Sequence, residues 1–440
     1  MSDIPESPPR RPRHRGPGVQ LNLNVRGMLP SATVAINERS DELRSQGRKI
    51  FKLGLGQSPF PVPEPVVEEL RLHAHEKDYL PVKGLPALRQ AVAAHHEREF
   101  GFRPDPGDIL VGPGSKELMF ILQLVYYGDL IIPTPAWVSY APQARIIGRH
   151  VRFLPTTAES GWQFTASQLD ALCREDPGRP RIVILNYPAN PTGHTYDTGR
   201  LERLAKVARR YKVILLSDEI YGRLHHDGGH QSIVPMYPEG TIYSNGLSKW
   251  CGAGGWRLGM FVFPPGLRWL LDGMSAVASE TYTSTSAPIQ HAAIRAFQDD
   301  PELELYLKTS RIVLKALGLH LAERLRSTGA SVLSPLGAFY LFPDFTPLQD
   351  RLRARGITTG QALCKRLLEE AGVAILPGSA FGRPEAELTA RISYVNFDGA
   401  SALAGVAALP DGELPDEPFL RRYCGEALEA VDLICAWVAS

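Results

Sequence analysis

The middle of the chain alternates short apolar segments with helical patterns, and this alternation narrows the possible folds more than any other property of the sequence. Helical patterns lie around residues 84–98, 115–125, 166–174 and 199–211. The apolar segments between and after them are DILVGPG, LIIPTP, RIVILNYP, KVILLSDE, TIYSNG and GMFVFP. Short strands that are apolar on both faces and separated by helices predict an α/β fold, in which helices cover both faces of a mostly parallel sheet.

The rest of the chain divides into regions around this centre. The pattern changes at about residue 300, where a long helix begins and a mixture of short strands and helices follows. We predict a large domain over residues 63–300 and a smaller α+β domain over residues 301–440. Residues 21–62 contain an amphipathic helix and a strand, and we expect them to pack with the small domain. The basic, proline-rich residues 1–20 are predicted to form a disordered tail.

Composition and charge exclude several classes of partner. The 440 residues are 44% hydrophobic and 22% charged, and the formal net charge of +1 would not attract nucleic acid or an anionic membrane. No apolar run approaches the roughly 18 residues that a membrane span requires. The five cysteines are scattered without a CxxC pair, which favours neither a disulfide framework nor a zinc site. A cytoplasmic enzyme acting on small molecules is therefore expected.

Polar residues stand where the predicted strands end, and in such sheets ligands bind beyond the carboxyl ends of the strands. Ser115 begins a helix directly after a glycine turn, and a helix N-terminus favours an anion such as phosphate. Asn190 and Asp218 follow two further strands, and Lys249 lies in a glycine-rich loop after a third. Each residue alone also has a structural explanation, since such turns need glycine and Asp218 could cap a helix.

Together these residues form a set that suits pyridoxal phosphate. The aldehyde of that cofactor reacts with a lysine, its ring nitrogen pairs with an anion, and its phosphate needs hydrogen-bond donors. A nucleotide-binding alternative fails because GAGGWRLG does not have the G-x-G-x-x-G spacing. No metal site is predicted, because the histidines considered lack the spacing of metal ligands. Those histidines are His95, His96, His225, His226 and His230.

Eight motifs resemble, in the same order, those of the class I and II aminotransferases, which are fold-type I pyridoxal-phosphate enzymes, and of their bacterial aspartate aminotransferase branch. The motifs are PSATVAINERSDELRSQG, KDYLPVKGLPALRQAV, GPGSKELMF, PTPAWVSY, NYPANPTG, SDEIYGRL, NGLSKWCGAGGWRLG and ARISYV. The resemblance covers about residues 30–400. It implies a sheet of the seven-stranded type and an enzyme that moves an amino group between an L-amino acid and a 2-oxo acid.

The resemblance also implies roles toward the cofactor. Lys249 would form the Schiff base, and Asp218 would pair with the pyridinium nitrogen. Tyr221 and Asn190 would hydrogen-bond the ring oxygen, and Trp137 would stack on the ring. The residues that would bind the phosphate are Gly114, Ser115, Lys116, Ser248 and Arg257.

Further implied roles concern the substrate and a second subunit. Arg391 would clamp the α-carboxylate of the substrate as a bidentate pair, for which a guanidinium is better suited than an ammonium. Gly56 would lie close to that carboxylate through its backbone, and Trp137 and Asn190 would also contact the substrate. Tyr79 would reach the cofactor phosphate of the neighbouring subunit, which implies a homodimer.

The sequence departs from the family pattern at three places. Gly246 stands where many relatives carry a hydroxyl that helps to bind the phosphate. Ser115 stands where aspartate-selective relatives often carry a lysine, and Lys116 is one residue later, so aspartate is not expected to be the preferred donor. The segment 408–419 is predicted to be a loop insertion before the last helix.

Two alternatives stay open at this point: a lyase or oxidase of the same fold, and a non-catalytic binding protein, which would have little reason to retain Lys249, Asp218 and Arg391 together. A lyase or oxidase of the same fold would use the same lysine, aspartate and arginine. These enzymes share a reaction intermediate, and the side chains of the outer pocket decide which product it gives. A sensor domain of a transcription regulator is not expected, because it would need a DNA-binding module and the N-terminal segment is too short for a winged helix.

Overall fold

The computed structural model describes residues 20–410 and 413–440. The predicted tail, apart from its last residue, and residues 411–412 of the predicted insertion therefore lie outside the described residues. The described chain begins with helix α1, Ala32–Ser45, and a two-residue strand, β1, Phe51–Lys52. In the described part of the chain, none of the helices combines the length and the apolar character that crossing a bilayer would demand.

The central region alternates strands and helices, as the sequence predicts. Its helices are α2 Glu64–Leu72, α3 Pro86–Phe100, α4 Ser115–Val125, α5 Tyr140–Ile146, α6 Ala166–Glu175, α7 Thr198–Arg210, α8 Arg268–Ser279 and α9 Ala287–Ala296. Its strands are β2 Ile109–Gly112, β3 Asp129–Thr134, β4 Val151–Pro155, β5 Arg181–Asn186, β6 Ile214–Asp218, β7 Thr241–Gly246 and β8 Gly259–Val262.

These seven strands form one sheet in the order β2-β8-β7-β6-β5-β3-β4. Strand β8 runs antiparallel to both of its neighbours, and every other neighbouring pair is parallel. The predicted mostly parallel, seven-stranded sheet is thereby confirmed. Its register brings polar strand ends side by side, because Asp218 is paired with Asn186 on one side and with Ser244 on the other.

Both faces of the sheet are covered by helices. Ile182 and Ile184 of β5 belong to an apolar cluster that includes residues of α4, α5 and α8, whereas Val183 and Leu185 belong to a second cluster with residues of α6 and α7. Each fully buried aliphatic side chain stabilises the fold by about 1.5–3 kcal/mol. Helix packing therefore stabilises the sheet on both faces, and the polar residues at the strand ends lie at the edge of this packed core.

The C-terminal region is a mixture of helices and short strands. Its helices are α10 Pro301–Arg326, α11 Gln349–Ala354, α12 Gly360–Ala371, α13 Gly399–Ala407, α14 Glu417–Tyr423 and α15 Gly425–Ala439, and its strands are β9 Tyr340–Leu341, β10 Val373–Ala374, β11 Leu376–Pro377 and β12 Ala390–Ser393. Strands β11, β12 and β9 form an antiparallel sheet.

The N-terminal segment contacts this C-terminal region. Strand β1 pairs in parallel with β10, and Leu43 and Ile50 pack against Leu368 and Ala374. Such contacts support the expectation that residues 21–62 pack with the smaller domain. The domain boundaries themselves stay a prediction.

The predicted loop insertion ends earlier than the sequence pattern indicates. Asp416 caps helix α14 by accepting a hydrogen bond from the backbone N–H of Phe419 at 2.9 Å, and Pro418 lies in the first turn, where a missing N–H costs nothing. Phe419 and Leu420 are buried in the main core. Residues 417–419 are therefore helical, because capping and burial stabilise a turn that local composition does not reveal.

Candidate active site

A cavity of about 650 Å³ opens at the carboxyl ends of strands β5 and β6. All but two of the site residues predicted from the sequence line this cavity. Those that line it are Gly56, Ser115, Lys116, Trp137, Asn190, Asp218, Tyr221, Ser248, Lys249, Arg257 and Arg391. Gly114 lies immediately beside it, against Arg257, whereas Tyr79 is 90% exposed and lies outside it.

Lys249 is partly buried in the cavity wall, in the loop after β7. Its Nζ donates a hydrogen bond to the backbone oxygen of Gly56 at 2.6 Å. Burial, and then the positive charges of Arg391 and Arg257, lower the pKa of Lys249 to about 8. Because far more of such an amine is neutral near pH 7 than of an ordinary lysine, Lys249 can act as a nucleophile.

Asp218 is the last residue of β6 and is buried. Its Oδ2 accepts a hydrogen bond from the hydroxyl of Tyr140 at 2.5 Å, and its Oδ1 accepts one from Ser244 at 3.5 Å. Burial raises the pKa of Asp218 to about 6, while the hydrogen bond from Tyr140 lowers it. A carboxylate that is desolvated in this way would be stabilised by a cationic group bound in the cavity.

Asn186 braces the two loops that carry Asp218 and Asn190. Its side-chain amide donates to the backbone oxygen of Asp218 at 2.9 Å, and its side-chain oxygen accepts from the backbone N–H of Asn190 at 2.8 Å. The strand-end amide therefore holds neighbouring functional residues through their backbone.

A group of hydroxyl and amide side chains faces Arg391. The hydroxyls of Tyr221 and Tyr340 are 2.6 Å apart, and Asn190 Nδ2 donates to Tyr340 Oη at 3.4 Å. A Cβ atom on Gly56 would lie 2.0 Å from the same Tyr340 oxygen, so that position requires glycine. The backbone at Gly56 consequently stays open toward the cavity.

Arg391 comes from β12 in the C-terminal region and is 1% exposed. One terminal nitrogen donates to Asn190 Oδ1 at 3.0 Å, the other donates to the backbone oxygen of Gly54, and the Nε has no partner. Among the described residues, no carboxylate forms an ion pair with it. A buried guanidinium with an unpartnered N–H would be stabilised by an anion.

Positive groups also meet at the opposite end of the cavity, at the start of α4. Gly114 caps this helix with a φ of +86°, and a Cβ there would lie 2.4 Å from a terminal nitrogen of Arg257. Arg257 Nη2 donates to the backbone oxygen of Pro113 at 3.3 Å, and Lys116 has its pKa lowered by burial and by Arg257. A helix N-terminus with two nearby cations favours a phosphate.

The packing around Gly246 explains why the expected hydroxyl is missing. Gly246 is buried at the end of β7, and a Cβ atom there would lie 2.7 Å from the backbone oxygen of Leu258 and 2.9 Å from the Cα of Gly259. No side chain fits without a backbone shift. Ser248 does line the cavity, whereas Ser244 is engaged with Asp218.

Sequence reasoning missed two tyrosines of the site. Tyr140 stands inside the motif PTPAWVSY, but the pattern gave no reason to separate it from the core. Tyr340 stands in the apolar segment AFYLF, where a tyrosine is typical of a buried strand. Only its position within a motif of site residues could have identified Tyr140 as part of the site. Nothing in the local sequence distinguishes Tyr340 from a core residue.

The donor set of the cavity fits pyridoxal phosphate. A partly neutral lysine amine, a buried carboxylate and a cationic helix N-terminus match the aldehyde, the ring nitrogen and the phosphate of this cofactor. The Nε of Arg391 has no hydrogen-bond partner and is not needed for any of these three contacts.

Comparison with known proteins agrees with this fit. The family model described as aminotransferase class I and II matches residues 48–401. The aspartate aminotransferase of Bacillus sp. (strain YM-2) is 33% identical to this chain over 391 residues. The asparagine–oxo-acid transaminase of Streptococcus mutans is 32% identical over 386 residues. Each match covers 85% of this chain and 94% of the relative.

Solved structures show the same relationship. The structure of the aspartate aminotransferase from Thermus thermophilus with maleate superposes with a TM-score of 0.78 at 32% identity, covering 88% of this chain and 98% of that one. The chain therefore belongs to the class I and II aminotransferase family, on its bacterial aspartate aminotransferase branch, and is a pyridoxal-phosphate-dependent enzyme that transfers amino groups.

Proposed function

We propose that the enzyme moves an amino group between an L-amino acid and a 2-oxo acid, and that Lys249 holds the cofactor through its amine. One observation carries the proposal: the amine of Lys249, with its lowered pKa, shares a cavity with the buried carboxylate of Asp218 and the buried guanidinium of Arg391. These are a nucleophile, an anion for a cationic ring and a cation for a substrate carboxylate.

When bound, pyridoxal phosphate supplies an aldehyde that carries the amino group and a ring that accepts electrons from the substrate. The side chains of this enzyme bind, orient and move protons. We assign to Lys249 Nζ the movement of a proton between the substrate α-carbon and C4′ of the cofactor, and to Asp218 the retention of a proton on the ring nitrogen. Tyr221 and Asn190 would hydrogen-bond the ring oxygen, and Trp137 would stack on the ring.

Arg391 is the proposed clamp for the α-carboxylate of the substrate. Its unpartnered Nε supports this role, because a bidentate pair with a carboxylate needs a free N–H beside a terminal nitrogen. Asn190 holds the guanidinium in position at 3.0 Å. Gly56 leaves its backbone accessible, since any side chain at this position would collide with Tyr340.

The proposed phosphate site is the cationic end of the cavity. Its residues are Gly114, Ser115, Lys116, Ser248 and Arg257. We propose that Tyr79 of a second copy of the chain completes this site in a homodimer, and the 90% exposure of Tyr79 supports an intermolecular role. A cytoplasmic location is part of the proposal and is supported by the five cysteines, which are all free thiols.

A panel of amino donors tests the proposed reaction. Purified holoenzyme is mixed with single L-amino acids in the absence of an acceptor, and the absorbance of the cofactor is followed. A donor that the enzyme accepts should convert the cofactor stoichiometrically to its pyridoxamine form and leave the matching 2-oxo acid. Aspartate and asparagine come first, because two similar enzymes are named for them.

The same panel tests the rival reactions and the donor preference. Continuous release of ammonia with regeneration of the starting absorbance would contradict amino-group transfer and indicate a lyase. Conversion by aspartate faster than by every other donor would contradict the expectation, drawn from Ser115, that aspartate is not preferred.

A further inference from the structure

A cluster of imidazole and carboxylate side chains lies where helix α2 and the turn after it face helix α9. Its members are His73, His75, Glu76 and His291. His73 directly follows α2, and His291 lies in the first half of α9. None of the four lines the active-site cavity.

Hydrogen bonding does not explain how these groups are arranged. Glu76 Oε1 lies 3.6 Å from His73 Nδ1, 3.8 Å from His75 Nε2 and 4.0 Å from His291 Nε2. These separations exceed the roughly 2.7–3.2 Å of a hydrogen bond. The Nδ1 of His73 is shielded from solvent and has no hydrogen-bond partner, which is costly for a polar atom.

The spacing is close to that of ligands around a shared metal ion. One ligand atom each from His73, Glu76 and His291 lies within 4.8 Å of the other two. Ligand atoms bound to a tetrahedral zinc ion at about 2.0–2.1 Å are separated from one another by about 3.3–3.4 Å. Small side-chain movements would therefore be enough to bring these three ligand atoms to the separations found around a bound zinc ion.

One of those movements can be specified. The rings of His73 and His291 are stacked, with centroids 4.5 Å apart and planes inclined by 20°. Two stacked imidazoles cannot direct their nitrogens at one ion, so at least one ring must rotate about its Cβ–Cγ bond. That torsion is broad for histidine, so the rotation carries little torsional strain.

We propose that His73, Glu76 and His291 bind a Zn²⁺ ion, with water or His75 at the fourth position. Two imidazole nitrogens and one carboxylate oxygen are ligands that suit zinc, whereas Mg²⁺ prefers a shell made of oxygen. The ion would link α9 to the turn that carries Tyr79, three residues after Glu76. This structural consequence, unlike the ion site itself, rests on the role proposed for Tyr79.

Calorimetric titration of chelator-treated holoenzyme with ZnCl₂ tests the site, with MgCl₂ as the contrasting ion. We expect one Zn²⁺ per chain, saturable binding and a Tm that rises with Zn²⁺ concentration, and no such effect of Mg²⁺. His291→Ala and Glu76→Gln should each weaken Zn²⁺ binding at least tenfold. His150→Ala, which removes an exposed histidine outside the cluster, should leave the affinity unchanged.

Two results would overturn the proposal. One is the absence of saturable Zn²⁺ binding by the wild-type holoenzyme, and the other is equal Zn²⁺ affinity in wild type and Glu76→Gln. Circular dichroism and the rate of amino-group transfer report whether each variant is folded. If His291→Ala does not fold, Glu76→Gln supplies the decisive comparison, because it preserves the shape of the side chain.

Discussion

Among the hydrogen bonds that stabilise the charged form of Asp218, the one from the phenol of Tyr140 has the largest effect. Tyr140 and Asp218 are both buried, and the hydroxyl of Tyr140 donates to Asp218 Oδ2 at 2.5 Å. Burial disfavours the carboxylate and raises the pKa of Asp218 to about 6, whereas the hydrogen bond favours the carboxylate and lowers the pKa. The charge of Asp218 near neutral pH thus depends in part on Tyr140.

Replacing Tyr140 by phenylalanine should therefore raise the pKa of Asp218 further. With less of Asp218 ionised near pH 7, the affinity for pyridoxal phosphate should fall roughly tenfold, the size expected for one hydrogen bond to a charged group. The loss should shrink as pH rises and Asp218 ionises. Equilibrium dialysis of the cofactor between pH 6 and pH 9 measures this, with Tyr237→Phe as a control at a buried tyrosine outside the cavity. A loss that does not change with pH would contradict the argument.

The lowered pKa of Lys249 leads to a second pH dependence. Only the neutral amine reacts, so the rate at which a small acylating reagent modifies Lys249 in the cofactor-free protein should rise as pH passes through about 8. Peptide mass spectrometry measures the rate and compares Lys249 with the exposed Lys365. In Arg391→Met the midpoint should move upward, because the largest electrostatic cause of the lowering is removed. A midpoint for wild-type Lys249 at the ordinary pKa of a lysine amine, about 10.4, would contradict the prediction.

The packing of β7, β8 and α4 accounts for the glycine at position 246, where many relatives carry a hydroxyl side chain. Gly246 and Gly259 are paired across β7 and β8, and a Cβ atom on Gly259 would lie 2.3 Å from the backbone nitrogen of Ser115 at the start of α4. Two strands and a helix N-terminus therefore meet without room for side chains. The missing hydroxyl reflects the closeness of these elements beside the proposed phosphate site.

Gly246→Ser should destabilise the protein rather than restore a phosphate contact. The added atoms meet backbone atoms that cannot move independently, and overpacking of this kind costs about 1–3 kcal/mol. Denaturant unfolding of the cofactor-free protein measures the loss. Gly178→Ala is the matched control, because a Cβ there meets no atom within 4 Å, and its effect should stay within about 0.5 kcal/mol. Equal unfolding midpoints for Gly246→Ser and wild type would show that the backbone yields.

The cavity as a whole is assembled from segments that are distant in the chain. The hydrogen bond between Lys249 and Gly56 joins residues 193 positions apart, and that between Arg391 and Asn190 joins residues 201 positions apart. The exposed Tyr79 is the one nominated residue that would come from a second subunit. This arrangement makes the proposed dimer testable by complementation.

Mixed dimers of Lys249→Ala and Tyr79→Ala chains should regain activity. Each mixed dimer contains one site with both Lys249 and a Tyr79 from the other chain, so random reassortment should yield about a quarter of the wild-type rate. Amino-group transfer is measured after mixing, unfolding and refolding the two variants together. Each variant refolded alone is the control. An activity no greater than the mean of the two controls would contradict the contribution of Tyr79 to the neighbouring site.

Local patterns in the sequence were sufficient to predict the sheet and much of the cavity. The alternation of apolar strands and helices depends on periodicities of a few residues, and functional residues of such a sheet concentrate at the strand ends, as Asp218 and Asn190 do. Motif resemblance then extended the set to Arg391, which no local pattern distinguishes from a surface charge.

Contacts between distant segments decided the rest. The partnership of Tyr140 with Asp218, the position of Tyr340 opposite Tyr221 and the crowding at Gly246 arise where separate elements pack together. A tyrosine in an apolar segment has the same local pattern whether it faces the core or a cavity, and a glycine has the same pattern whether or not space surrounds it. The difference lies in which elements meet, and that is set by packing across the whole chain.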